Sequence, residues 1–546
     1  MILTRLIMNK NKNKKTYYTC AGLGLLAMLI ILTVSCTDGF DALNTPTDRV
    51  VASEVDGSLL GQAFADAQWR GVRGGGGGLQ TGKNLFADLY AQYFATTSAN
   101  FDSDQFEEIG SWVNGGVWRT MYGNSLRSLD FVLKFTEENN LVVQNAVASI
   151  WSVHIYHQLS DYFGPVIYSQ YGNGERVVLY DSQESIYNDL FNVLDDAVGV
   201  LEQNRGTSVF GQNDIIFGGD IDNWITYGNS LRLRLAMRVV YADEQLARSN
   251  AEAAVAGGVM TDNSQNAFVA TTDNNRNDFT RITNWGEFRM SASMQSILQG
   301  YEDPRTGAFF SEATMEEDGT QCGACGYRGL RNGLPRGAKN PELNFIFSDM
   351  GQPYLPSARG GGNPPVEVMR AAEVYHLRAE GALRGWEMGG SAQELYEYGI
   401  RASMEEWDVA TPAEIDAYIS STNTPADYTS NFEPSWDLPA LSDITVAWDD
   451  SGDFERNLEQ IITQKWLSLY PEGLEAFAEY RRTKYPRLYP IIESRNPNIP
   501  EDGQMSRLTF VTSEYSQNLD GVESGIQKLG GPDVNHTKIW WDQKPE

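Results

Sequence analysis

Histidine and cysteine are scarce in this chain, with 4 of each among 546 residues, and positive charge falls well short of negative, 42 Lys and Arg against 72 Asp and Glu. Each shortage excludes something. A formal charge of −30 repels phosphate backbones and anionic headgroups, so nucleic acid is excluded as a partner. So few imidazoles and thiols leave little from which a zinc or redox centre could be assembled. His154 and His157, three apart beside Trp151 and Tyr156, read as packed side chains. No nucleophile triad or metalloprotease motif stands out, and no carboxylate pair can be assigned, although 72 acids leave room for a glycosidase pair. The chain is read as a non-enzyme, with no cofactor and no metal. A phosphate loop is also lacking. Gly77 to Lys83 spells Gly-x4-Gly-Lys, but Asn84 stands where the magnesium-binding hydroxyl belongs, and Leu60, Phe64 and Ala67 before it fall at helical spacing. The glycine run is expected to be a flexible linker between two helices.

What is present begins with an export signal: Lys10, Lys12, Lys14 and Lys15 precede an apolar run from Ala21 to Val34, too short to read comfortably as a membrane span. The "VSC" at Val34 to Cys36 resembles the end of a bacterial lipobox, in which the cysteine is acylated and becomes the first mature residue, although Thr33 sits where Leu is usual. Residues 1–35 are then a signal peptide, 36–49 a polar tether holding the body to outer-membrane lipid through Cys36, and 50–546 the folded body. Cys20 leaves with the signal. Cys322 and Cys325, in "CGAC", remain, and in an exported chain they are expected to close a small disulfide; free thiols, redox or metal work are the alternatives.

At 41% apolar residues the body can bury a large core, and its periodicity is helical. Val368, Ala372, Tyr375, Ala379, Ala382 and Trp386 form one stripe, with Glu380 and Arg384 an i,i+4 pair on another face. Ser391 and Glu394 make a capping box for the next helix, and Thr411, Pro412 and Glu414 open another. Further pairs are read at 185–203, at 222–240 with 245–257, and at 454–470 with 472–482. Two phrases, "WRTMYGNSLRS" from Trp118 and "WITYGNSLRLR" from Trp224, nearly repeat and read as packing helices whose Asn and Ser settle close contacts. The architecture is therefore mainly α, built of helical hairpins of the size used in tetratricopeptide arrays. Long segments rich in Gly, Asn, Asp and aromatics interrupt it, chiefly 97–117, 261–285 and 303–365, with 423–453 besides. Loops of that length and composition point to function rather than disorder.

The phrases "NWITYGNSLRLRLAMRV", "EVYHLRAEGALRGW" and "ELYEYGIRASMEEW" resemble the SusD/RagB family of nutrient-binding outer-membrane lipoproteins. "LSDYFGPVIYS", "DPR", "QKWLSLYPEGLEAFAEYRRTKYPRL", "RLTF" and "IWWD" follow the same pattern in the same order, and together they span nearly the whole mature chain. The resemblance implies four tetratricopeptide-like helix pairs carrying a ligand-binding portion made of inserted loops. It also implies a cell-surface location and a partner, a SusC-type TonB-dependent transporter over which the lipoprotein sits as a hinged lid. Family members take glycans, and some take peptides. The function expected is non-catalytic capture of an oligosaccharide, with a peptide ligand or a secreted glycoside hydrolase as the alternatives.

Sugar recognition needs flat aromatic faces together with amides, carboxylates and guanidinium groups for the hydroxyls. In the first long loop Asn100, Phe101, Asp104 and Trp112 supply these, with Trp112 the leading candidate; Trp118 is expected in the core. In "CGACGYRGLRNGLPRGAKN" a basic run sits inside an acidic protein, and Tyr327, Arg328 and Asn332 are candidates there. A carboxylate gripped by Arg328 would favour a uronate-containing glycan. Trp285 and Tyr354 are candidates on loop composition alone. Asp273, Asn275 and Asn277 have calcium-loop spacing, but Asp278 replaces the turn glycine and Asn284 the closing acid.

Overall fold

Short polar side chains set where the helices begin. The computed structural model describes residues 59–545 apart from Gly75, Gly76, Asn431 and Asp502, so the signal, the tether and Cys36 lie outside the described residues. Helix α1 is Leu60–Gly71, and a π-helical stretch Val113–Leu126 runs into α2, Arg127–Glu138. Then come α3 (Val142–Phe163), α4 (Gln183–Glu202), α5 (Ile221–Arg238), α6 (Glu244–Gly257), α7 (Ala371–Leu383), α8 (Ala392–Trp407), α9 (Pro412–Ile419), α10 (Phe454–Leu469), α11 (Gly473–Thr483) and α12 (Leu519–Leu529). Ser182, Asp220, Asp243 and Asp453 cap α4, α5, α6 and α10 by accepting backbone N–H bonds. The Ser391–Glu394 and Thr411–Glu414 capping boxes are both formed.

Consecutive helices pack in pairs, α3 on α4, α5 on α6 and α7 on α8, and α10 lies against α7 and α8. The repeated phrase works as expected. Ser125 Oγ donates to the Ala67 carbonyl at 2.8 Å, while Asn229 reaches the Gly258 carbonyl at 3.2 Å and Ser230 accepts from Met260 N–H at 2.9 Å. Two short antiparallel pairs anchor the insertions: β1 (Phe94–Thr96) with β3 (Phe288–Met290), and β2 (Ala267–Val269) with β4 (Val366–Met369).

Several sequence expectations need correction. The helix expected from Val368 starts at Ala371, because pairing with β2 takes Val366–Met369 as strand. Its apolar stripe is also too narrow a description: α5, α8 and α10 surround α7, so Glu373, His376 and Glu380 are buried as well. The 97–117 segment is not loop throughout, since the helical run into the first repeat begins at Gly110. Lys83, far from cradling phosphate, is buried between Asp88 at 3.3 Å and Glu472 at 3.0 Å and donates to the Pro471 carbonyl at 2.9 Å. Gly82 packs so closely on Gly116 that a Cβ would come within 2.4 Å of the Gly116 carbonyl oxygen.

A buried ion network joins the helices. Arg238 meets Asp161 at 2.9 Å and also holds Glu475, and Arg234 grips Glu373 through 2.7 and 2.6 Å bonds. Arg482 clamps both Glu380 oxygens at 2.8 and 2.5 Å and meets Glu479 at 2.6 Å. Lys465 reaches Glu479 at 3.1 Å, and the Trp541 indole N–H donates to Asp161 at 2.8 Å. Glu380 also pairs with Arg384 at 2.8 Å as its spacing predicts, but inside the protein rather than on its surface.

The network fixes a pH dependence. Burial alone would raise the Asp161 carboxyl, but Arg238 and a bond from His157 overcome it and hold it at about 2. Burial is likewise outweighed by arginines at Glu380, Glu475 and Glu479, all held below the usual range. Burial lowers His154, His157 and His376. It raises Asp104, Glu108 and Glu406, and takes Asp88 to about 6. Between pH 6.5 and about 4 the raised acids add stability on acidification while the lowered histidines remove it, so the two trends oppose each other. Below about 4 the unfolded chain protonates carboxylates that the folded state keeps ionised, and nothing opposes the loss. The melting temperature is therefore expected to change little from pH 7 to 4 and to fall steeply below 4; scanning calorimetry showing an unchanged transition at pH 3 would contradict this.

Candidate functional site

The β1–β3 pair brings the first, second and third insertions to one place. Thr97 N–H donates to the Glu287 carbonyl at 3.0 Å, and the Thr97 hydroxyl lies 3.1 Å from the Gly286 carbonyl and 2.8 Å from Asn344 Oδ1. Gly286 follows the 3-10 turn Thr283–Trp285 at φ 66, a left-handed conformation suited to glycine, and a Cβ there would come 3.0 Å from the Asn344 amide nitrogen. That turn leaves the Trp285 indole 46% exposed, with the Arg281 guanidinium 5.9 Å from its ring centroid and Arg281 itself held by Asp278 at 2.7 Å.

Facing this turn is the short helix Leu343–Ile346. Leu343 and Ile346 bury themselves in a small core with Ala95, Leu330, Leu334 and Phe347, which turns Phe345 outward, 49% exposed. Trp285 and Phe345 line one cleft with Asn284, Asn344, Arg359 and Glu312, and it leaves about 460 Å³ open to the centres of water molecules. Its charges are already matched. Asp349 meets Arg359 at 2.6 Å and Arg289 at 3.6 Å, Arg289 also donates to the Asn344 carbonyl at 3.0 Å, and Glu312 accepts the Gly326 N–H at 3.0 Å. Burial lowers the Arg289 pKa, with Asp349 pulling the other way. The cleft therefore offers two aromatic rings, side-chain amides and a neutralised polar floor.

The other residues singled out from sequence lie elsewhere or inside. Asn100 is exposed, its N–H on Ser98 Oγ at 3.3 Å. Phe101 and Trp112 are half-buried and meet edge to face at 5.2 Å, and Phe86 meets Trp112 edge to face at 6.4 Å. Asp104 is sealed in, bonded to Lys339 at 2.7 Å and accepting Gly333 N–H at 3.2 Å. Arg328 pairs with Glu316 at 2.7 Å, Asn332 donates to the Phe94 carbonyl at 2.8 Å, and the Tyr354 hydroxyl donates to Glu367 at 2.5 Å; all three are buried. Tyr327 is half-buried, its carbonyl taken by Gln299 at 2.8 Å and its hydroxyl beside Gly307. Cys322 and Cys325 are joined across their turn, Cα atoms 5.9 Å apart, within the range of a disulfide.

The basic run is thus mostly turned inward, although Arg336 keeps 58% of its side chain exposed. Arg336 pairs with Asp102 and Lys339 with Asp104, stitching the third insertion to the first, while Arg331 donates to the Trp436 and Pro490 carbonyls at 3.1 and 2.6 Å. Asn277, at the calcium-like spacing, spends its amide on the Pro365 carbonyl at 3.1 Å and its oxygen on Phe279 N–H at 3.0 Å. His154 stacks on Trp151 at 4.3 Å between Gln158 and Tyr227, packed as the sequence suggests. Phe345, Arg359 and Glu312 were missed: each lies in the 303–365 insertion, where no periodicity marks which aromatic turns outward.

Trp112→Ala is expected to cost about 1–3 kcal/mol of stability through lost packing and to leave ligand affinity unchanged. Denaturant melts beside a binding titration check this, and weakened binding at unchanged stability would return Trp112 to the ligand site.

The sequence pattern of the SusD-like family, described as Susd and RagB outer membrane lipoprotein, matches residues 44–542. The chain belongs to the SusD-like family. A chitin-binding SusD homolog from Flavobacterium johnsoniae is similar in structure, 34% identical with TM-score 0.81, over 88% of this chain and 98% of that one. A SusD homolog from Bacteroides thetaiotaomicron is 30% identical with TM-score 0.80, over 89% and 99% of the two chains. A further chitin-binding protein is 27% identical with TM-score 0.73, over 89% and 100%. No curated protein matches the chain. The SusD-like phrases quoted above supply the ion network, among them Asp161, Arg234, Arg238, Glu380, Glu475, Glu479, Arg482 and Trp541, so the family signature is a signature of the helical body. Among the described residues no helix is long and apolar enough to cross a membrane.

Proposed function

We propose that this SusD-like chain is a cell-surface lipoprotein, acylated at Cys36, that captures a neutral glycan in the Trp285–Phe345 cleft without cutting it and passes it to a SusC-type TonB-dependent transporter. The observation that carries the reading is the pair of half-exposed rings bordering one cleft, with Asn284, Asn344 and Arg359 placed for hydroxyl or amide groups. A pyranose lays its apolar face on such a ring and turns its polar edge to such donors. Asp349 is tied up by Arg289 and Arg359, which disfavours a hydrolytic role for it, and Arg328 is engaged by Glu316 rather than free for a uronate. Similarity to two chitin-binding proteins makes β-linked N-acetylglucosamine oligomers the first ligand to try.

The test uses the soluble form lacking Cys36, titrated calorimetrically with chitin oligosaccharides and other neutral glycans and assayed for new reducing ends. Saturable binding with no new ends is expected. Turnover, or binding confined to peptides, overturns the reading.

A further inference from the structure

Phe345 stands on a helix of a single turn, Leu343–Ile346, and so short a helix depends on contacts from outside it. Two neighbours supply them at consecutive carbonyls. The Asn344 carbonyl accepts from Arg289 Nε and Nη2 at 3.1 and 3.0 Å, and the Phe345 carbonyl accepts the N–H groups of Thr314 and Met315 at 2.9 and 3.1 Å. Arg289 belongs to β3 and is buried. Thr314 and Met315 belong instead to a surface hairpin, 313–326, whose far arm carries the Cys322–Cys325 disulfide.

That hairpin has no core of its own. Among its residues only Ala313 is fully buried, and none joins an apolar cluster of the body. Its shape rests on polar contacts. Cys322 N–H donates to the Thr314 carbonyl at 3.1 Å and Cys325 N–H to the Ala313 carbonyl at 3.0 Å, while Ala313 N–H donates to the Gly326 carbonyl at 2.9 Å. The far-arm donors that reach Ala313 and Thr314 are therefore the two residues that the disulfide ties. Thr314 accepts from Cys322 on one side and donates to Phe345 on the other, so three short links join the disulfide to the aromatic turn. Arg328 braces the near arm separately, through Glu316 at 2.7 Å and the Met315 carbonyl at 3.4 Å.

We propose that the Cys322–Cys325 disulfide is a positioning element of the glycan cleft: it keeps the hairpin closed on the Phe345 carbonyl and so keeps that ring ordered before a sugar arrives. The proposal rests on the reading of the Trp285–Phe345 cleft as the ligand site. Without the bridge, the ring and its turn must be ordered at binding, and the cost of immobilising one side chain corresponds to about 3–10-fold in affinity. Arg289 and Arg328 remain in place, which keeps the loss partial.

Cys20 and Cys36 are missing from a soluble form that begins at Thr37, so a reductant there acts on this pair alone. A water-soluble phosphine reduces the bridge to two thiols and becomes its oxide with oxygen from water; oxidised glutathione re-forms the bridge and is itself reduced to two thiols. Calorimetric affinity for a chitin oligosaccharide should fall about 3–10-fold on reduction and return on reoxidation. The Cys322→Ser, Cys325→Ser double variant should bind like the reduced protein and ignore reductant. In Phe345→Ala the same reduction should change affinity by less than about twofold, because the group being positioned is gone. Hydrogen exchange, which needs no ligand, should quicken on reduction at 313–326 and 343–347 and stay unchanged in α7 and α8. Equal affinity in the two redox states overturns the proposal, and so does an equal loss in Phe345→Ala. If the oxidised protein binds no glycan, the reading of the cleft fails instead, and exchange decides the clamp: unchanged rates at 343–347 overturn it, and faster ones there uphold it.

Discussion

Trp285→Ala is expected to weaken binding of a chitin oligosaccharide by about 2 kcal/mol, close to 30-fold, and to leave the melting temperature nearly unchanged. The size follows from geometry. The indole is 46% exposed, so little of its area is spent on folding, and Arg281 beside it limits its freedom before a sugar arrives. A ring already ordered and still wet loses little entropy when it is covered, which is why such aromatics dominate binding energies. Trp285→Phe should recover part of the loss, because a flat face remains. Calorimetric titration of the three proteins with one oligosaccharide is the measurement. Equal affinities would remove Trp285 from the site and leave the cleft without its main wall.

The second large effect concerns the body rather than the ligand. Arg482→Met should destabilise the fold by about 3–5 kcal/mol, a large share of the 5–15 kcal/mol typical of folded domains. Arg482 is wholly buried, and removing it leaves Glu380 and Glu479 close together in the interior with Arg384, Lys465 and, at 3.6 Å, Arg238 to balance them. The pair itself need not be favourable: its desolvation offsets most of its attraction, so pairing Arg482→Met with Glu380→Leu should restore much of the loss. Denaturant unfolding of the single and double variants decides between these. A single variant that loses less than about 1 kcal/mol would show that water or backbone relaxation reaches the orphaned carboxylates.

How far the sequence could be read varied with the kind of signal. Capping boxes at Ser391 and Thr411 are local chemistry, complete within four residues, and both form as written. The hairpins at α5–α6 and α7–α8 were legible from periodicity, although β4 shortened α7 because strand pairing with Ala267–Val269 comes from a hundred residues away. Candidate ligand residues fared differently. Asp104, Asn332, Arg328 and Tyr354 have suitable chemistry, but distant partners claim each of them: Lys339, the Phe94 carbonyl, Glu316 and Glu367.

Composition and charge argued against nucleic acid as a partner, and the ordered phrases, whose arginines and glutamates repeat along helices, settled the family and the helical plan. Those features are local or summed over the whole chain, so no contact need be known to use them. Which aromatic faces water was decided only by packing. Leu343 and Ile346 turn inward and expel Phe345, Gly286 swings Trp285 to the surface, and Phe86 and Phe101 close over Trp112. Exposure is a property of neighbours brought together from far apart in the chain, and a loop without periodicity carries no record of them.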